Sequence, residues 1–290
     1  MKIPKYIMAL ATMLVFAACS TDDVFDDTGN EAVKVNAAVG TNSIFTRSNP
    51  IGTSEQQTSF NDGDKISLSN GTQTAVYTLN SGAWSTADAP VKWQTKSGTF
   101  HAFYPADGTN TFDKGVIKTD QSSLANLVAS DYMRQTVDYV SIPDDRSVSL
   151  EMQRQTARVV FKIASYKNQF DGKTPTVDHI HVFSPTEISA TASTTATEIN
   201  TYKDGDEFIA LVVPTTAKGN DYFASLCVKT SDNDEGVQLK VRGIPAMEAG
   251  KSYTYNLEVG KNEVTIAGVT VNDWTTGSTI SGGNLALANK

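Results

Sequence analysis

Two histidines one residue apart, Asp178-His179-Ile180-His181, are the side chains of this sequence best suited to hold a metal. On a strand, residues i and i+2 share a face, so both imidazoles point the same way, a spacing that suits zinc. The third histidine, His101, lies far away in sequence, so the pair is read as a polar strand face and no metal is expected. Asp232-Asn233-Asp234-Glu235-Gly236 has the acidic spacing of a calcium loop. Its glycine comes one place early, and Gly243 stands where a bidentate glutamate is required, so it is read as a hairpin turn. Gly250-Lys251-Ser252 resembles the end of a phosphate loop, but Pro245 replaces the first glycine and Lys251 opens a strand. No Gly-x-Ser-x-Gly elbow occurs, and nothing places a base beside a nucleophile. Trp84, Trp93 and Trp274 would suit sugar stacking, although such aromatics more often fill cores. No catalytic residue and no cofactor are expected.

The elements that must position these groups are strands. Val33, Val35, Ala37 and Val39 alternate with polar residues, as a half-buried strand requires. Further strands are expected at Lys65–Leu68, Thr74–Leu79, Val91–Trp93, Gly98–Tyr104, Val148–Met152 and Thr156–Ile163. Residues 109–145 are less regular, with a helical turn near Leu124–Ala129. A second set follows at Val177–Phe183, Glu187–Thr194, Glu207–Val213, Tyr222–Thr230, Val237–Val241, Tyr253–Val259 and Glu263–Val271. In the last of these the apolar parity changes between Ile266 and Val269, which predicts a bulge at Ala267-Gly268. Short strands with turn clusters between them predict an all-β chain of two tandem β-sandwiches, 33–153 and 154–274, with a tail over 275–290.

Composition limits the function. Of 290 residues, 39% are hydrophobic and 19% charged, enough apolar surface for packed cores. The net charge is −8 with no basic run, which argues against nucleic acid as a partner. There are two cysteines. Cys227 falls in an alternating strand and is expected to be a buried, inert thiol.

The first 18 residues have the order of an export signal. Lys2 and Lys5 precede an apolar run from Ile7 to Phe16, and Ala17-Ala18-Cys19 follows. Phe16-Ala17-Ala18-Cys19 resembles the lipobox of bacterial lipoproteins, which implies a lipid on Cys19. The other reading is an ordinary secretion signal with an incidental cysteine. Ser20 follows Cys19, so the aspartate that marks retention at the inner membrane is absent. Asp22, Asp23, Asp26 and Asp27 resemble a surface-export tag, within an acidic tether over 19–32; a plain solvated tether is the alternative. With lipid on Cys19, Cys227 has no disulfide partner.

Four further stretches matter for the order in which they stand. They are Ser59-Phe60-Asn61-Asp62-Gly63-Asp64-Lys65-Ile66 behind Thr46-Arg47, and Phe100-His101-Ala102-Phe103-Tyr104-Pro105. The others are Gln155-Thr156-Ala157-Arg158-Val159-Val160-Phe161, and Ala249-Gly250-Lys251-Ser252-Tyr253-Thr254-Tyr255 with Val271-Asn272-Asp273-Trp274. Taken together and in this order, the four resemble the fimbrillin family, whose second domain often opens on a histidine where Gln153 or Gln155 stands here. The resemblance implies two Greek-key, transthyretin-like sandwiches in a non-enzymatic surface lipoprotein of the outer membrane. It implies assembly with other fimbrial subunits and proteolytic processing after Arg47. That cut would remove the Val33–Val39 strand, and the 275–290 tail of a neighbour, carrying Ile280, Leu285 and Leu287, would replace it. Two alternatives stay open. Val33–Val39 stays paired for life, or the chain is a non-polymerising adhesin that binds glycan or host protein.

Overall fold

A computed structural model describes residues 31–40, 60–231, 234–274 and 279–280. Nearly all of them are strand or turn. The first half holds β1 (Lys34–Val39), β2 (Lys65–Ser69), β3 (Thr74–Asn80), β4 (Ala83–Ser85), β5 (Gly98–Tyr104), β6 (Gly115–Val116), α1 (Leu124–Ala129), β7 (Met133–Tyr139) and β8 (Ser147–Arg154). All of these strands except β6 join one seven-stranded sheet in the order β1-β8-β7-β5-β2-β3-β4. The sheet curls, so that its two edges, β1 and β4, come back against one another. Strict alternation makes this possible. Phe100, Ala102 and Tyr104 of β5 and Val148, Leu150 and Met152 of β8 turn inward to one core with Val33, Val35 and Val39.

The second half holds β9 (Ala157–Tyr166), β10 (Thr176–Ser184), β11 (Glu187–Ile188), β12 (Thr197–Asn200), β13 (Tyr202–Asp204), β14 (Glu207–Val212), β15 (Lys218–Lys229), β16 (Val237–Ile244), β17 (Lys251–Val259), β18 (Val264–Asp273) and β19 (Thr279–Ile280). They build a four-stranded sheet, β12-β10-β15-β16, and a six-stranded sheet, β13-β14-β9-β17-β18-β19. Phe161, Phe208, Phe223, Leu226 and Tyr255 fill the space between. A short pairing of β6 with β11 ties the halves together.

Strand β14 carries apolar residues on both faces, and β9 adds Val160 to its outer one, because this part of the sheet is covered from outside as well. Their outward residues Val160, Ile209 and Leu211 pack with Leu127 of α1 and with Trp274. β9 also pairs in parallel with β17, an arrangement that favours strands buried on both sides. Helix α1 is fixed by Ser123, whose hydroxyl caps the free Asn126 N–H.

Several expectations need correction. Val91–Trp93 is not a strand; Lys92 makes one isolated bridge to Ala32, while Val91 and Trp93 plug the core. The 109–145 region contains β7, whose outer residues Arg134, Thr136 and Asp138 are polar and whose inner face is interrupted by Gln135, which masks its pattern. The expected strand Glu187–Thr194 stops at Ile188, where Ser189 and Thr191 begin a polar turn. The predicted bulge is present. Asn256 faces Gly268 and Leu257 faces Ile266, which leaves Ala267 unpaired in the register.

Candidate functional site

Strand β1 combines three properties: burial of most of one face, an edge with no strand partner, and a position ahead of the other described strands. Val33, Val35 and Val39 are almost completely buried. Each fully buried valine stabilises by roughly 1.5–3 kcal/mol, so the three together contribute on the order of 5 kcal/mol or more. It pairs in parallel with β8 through all six residues, from Lys34 opposite Ser147 to Val39 opposite Met152. The pairing extends at both ends. Lys34 N–H donates to the Arg146 carbonyl at 2.9 Å and Gly40 N–H to the Met152 carbonyl at 3.0 Å. Glu31 forms an ion pair with Arg146 just before the strand.

The other edge of β1 has no strand partner. It borders a groove of about 440 Å³ shared with β4 and lined by Val33, Val35, Tyr77, Trp84 and Pro90. Tyr77 closes the floor, its hydroxyl accepting from Val91 N–H at 3.0 Å, and burial pushes its pKa up. Val33 N–H donates to the Val91 carbonyl at 2.8 Å, and Trp93 N–H to the Glu31 carbonyl at 3.1 Å. Beyond Gly40 the chain enters residues 41–59, which carry Arg47 and lie outside the described residues, as does Cys19.

The other end of the chain is anchored by an aromatic residue between cations. Trp274 is buried, with the Arg154 guanidinium 4.3 Å and that of Arg158 5.2 Å from its ring centre. Arg154 Nε reaches both carboxylate oxygens of Asp131, at 3.1 and 3.0 Å, and both side chains are shut off from solvent. Burial pushes the Asp131 carboxyl up, an effect that Arg154 and Arg158 only partly offset. Burial, with Arg154 alongside, brings Arg158 down to about 10. Close by, Gln121 acts as a substitute strand. Its amide donates to the Leu211 carbonyl at 2.8 Å and accepts from Leu211 N–H at 2.8 Å, on the edge of β14. After Trp274, Thr279 and Ile280 return as β19 against Asn272 and Val271. Leu285 and Leu287 lie outside the described residues.

The remaining candidates separate. His179 and His181 stack, with ring centres 4.7 Å apart. His101 sits on the other half of the molecule, beside Thr136 and Phe112. Trp93 and Trp274 are core residues, and Trp84 packs edge-on against Phe60, so the three offer no common sugar platform. Lys251 opens strand β17 and pairs with Asp273. Asp234 closes the β15–β16 turn by accepting from Gly236 N–H and from both the N–H and the hydroxyl of Thr230. Those hydrogen bonds hold its carboxyl below the usual range. Cys227 is buried, but on the outer face of its sheet and not in the apolar core. Gln121 and the Asp131–Arg154 pair were not legible beforehand, because their partners are set by the packing of the two halves.

A family model described as fimbrillin-like matches residues 34–274. Among solved structures, a candidate cell adhesion protein from Bacteroides ovatus ATCC 8483 superposes with a TM-score of 0.59 at 14% identity, over 86% of this chain and 99% of that one. Another from Bacteroides uniformis ATCC 8492 gives a TM-score of 0.56 at 20% identity, over 84% and 99%. At these identities the likeness is one of fold. Curated proteins offer no match.

Proposed function

The chain belongs to the fimbrillin-like family, and on that footing we propose that it is a structural subunit of cell-surface fimbriae assembled by donor-strand exchange. Membership makes it a fimbrial or adhesion-related surface protein and not an enzyme. The finer reading has five steps. The signal over 1–18 exports the chain, and Cys19 takes the lipid that holds it to the outer membrane. The acidic tether 19–32 carries it to the surface. The halves 33–153 and 154–274 act as tandem Greek-key sandwiches. Cleavage after Arg47 frees the lipidated segment together with β1. The tail 275–290 of another subunit then fills the vacated place.

One observation carries this reading: β1 fills a core from an edge position and leads directly into the segment that holds Arg47. Losing it would expose the unpaired edge of β8 and a slot shaped for valine side chains. A strand from a second chain can satisfy both through backbone pairing and alternate side chains.

Two variants test the scheme. A chain that begins at Ser48 should form concentration-dependent polymers by size-exclusion chromatography. The same chain ended at Trp274 should not. The scheme fails if the first stays monomeric at high concentration, an outcome that would favour the non-polymerising adhesin. It fails equally if the shortened chain polymerises as well.

A further inference from the structure

On the outer face of the four-stranded sheet, a break in register brings three metal-binding side chains together. Strands β10 and β15 pair with Val177 opposite Val228 and Ile180 opposite Leu226. Two residues of β10, Asp178 and His179, therefore face the single residue Cys227. This is a β-bulge, a device that re-aims side chains. A carboxylate oxygen of Asp178, a ring nitrogen of His179 and Cys227 Sγ all lie within 4.8 Å of one another. We infer that Asp178, His179 and Cys227 form a binding site for a zinc-type divalent cation, with solvent in the fourth position.

The donor set supports that class of ion. A thiolate, an imidazole and a carboxylate together suit zinc and exclude magnesium or calcium, which take oxygen ligands. Zinc bonds of roughly 2.0–2.3 Å place tetrahedral ligands about 3.5 Å apart, so the three groups need to close by only about an ångström. Both β10 residues lie on the bulge, where the ladder does not fix them.

The surroundings are arranged around the same three groups. The His179 ring lies flat against His181, at an interplanar angle of 21°, and His181 Nδ1 is held by Glu198 at 2.5 Å. Such partners orient a ligand ring. Asp178 already binds a positive charge, the Lys229 ammonium at 3.0 Å, which an arriving cation would displace; its second contact is His179 Nδ1 at 3.2 Å. Cys227 is covered by the turn behind it. Its Sγ lies 3.8 Å from the Glu235 carbonyl, and a Cβ on Gly236 would come within 2.4 Å of the sulfur. Gly236 also has φ +81°, so this close roof requires glycine on two counts. The thiol proton leaves to solvent as the metal–sulfur bond forms. The bound ion would clamp β10 to β15 where the bulge interrupts their pairing.

The test titrates Co²⁺ into the full chain carrying Cys19→Ala, in which Cys227 is the single thiol, with Zn²⁺ as competitor. A near-ultraviolet thiolate–cobalt charge-transfer band should appear and be displaced by zinc. Cys227→Ala should abolish the band. His179→Gln, at a partly exposed position, should weaken binding about tenfold or more. Lys229→Met should tighten it by removing the competing ammonium. Absence of the band in a chain shown folded by circular dichroism would overturn the proposal. So would a band that survives Cys227→Ala or titrates unchanged in His179→Gln.

Discussion

Replacing Asp131 with leucine should be far more damaging than removing its whole ion pair. The Asp131 and Arg154 side chains are 0% and 1% exposed, so the single change Asp131→Leu removes the carboxylate from a guanidinium that is shut off from water. Breaking a buried pair in this way costs about 3–5 kcal/mol. That is a large fraction of the ~5–15 kcal/mol that holds a domain folded. With a urea m-value near 2 kcal/mol per molar, a loss of about 4 kcal/mol lowers the midpoint by roughly 2 M. The double variant Asp131→Leu/Arg154→Met removes both charges and leaves an apolar thioether on the Trp274 ring, where Arg154 now sits. It should fall within about 2 kcal/mol of the parent, or exceed it. The assay is a urea-unfolding cycle of the parent, Asp131→Leu, Arg154→Met and the double variant, followed by tryptophan fluorescence. A single Asp131→Leu costing under about 1 kcal/mol would refute the reasoning. A double variant less stable than Asp131→Leu would refute it too.

Other outcomes are open to direct measurement. Gln121→Ala should cost roughly 1–3 kcal/mol in thermal or urea unfolding, because it leaves the buried Leu211 N–H and carbonyl without their partner. Gly115→Ala should cost roughly 1–3 kcal/mol by overpacking, since its Cβ would meet the Tyr132 ring at 2.2 Å. Asp234 has a lowered pKa in the folded chain, so its stabilising effect is present above its unfolded value and lost as pH falls through the folded one. The protection of the Thr230 and Gly236 amides, measured against their intrinsic exchange rates, should therefore fall below about pH 4, and Asp234→Ala should remove that dependence. A bulky maleimide should label Cys227 slowly in the native chain and rapidly in denaturant.

The strands most legible in the sequence were those with one wet face. Gly98–Tyr104 alternates through seven residues and forms β5 with those bounds, and the parity change at Ala267 marked the bulge. Leu124–Ala129 also forms as expected, capped by Ser123. Val91–Trp93 misled because burial and strand geometry came apart: both end residues are buried, yet only Lys92 pairs. β4 has three residues, too few for any period to register. The candidate sites were harder still. The role of β1 rests on a parallel register with β8, more than a hundred residues on, which alternation alone does not encode. The histidine pair was visible, but its thiol neighbour depends on a bulge that changes which residues of β10 face Cys227.

The direction of β1 also decides how it responds to force. Because β1 and β8 run the same way, a pull transmitted through Glu31 acts along the strand and not away from its partner. The six paired positions then share the load together, like a lap joint, where a hairpin pulled at its open end would peel one bond at a time. The Glu31–Arg146 ion pair sits where the load enters. A joint of this kind holds under sustained drag, yet its covalent continuity depends on the stretch beyond Gly40. Severing that stretch would turn a strand under load into a separable one, held by its pairing with β8, its buried valines and the contacts that Glu31 and Val33 make with Arg146, Val91 and Trp93.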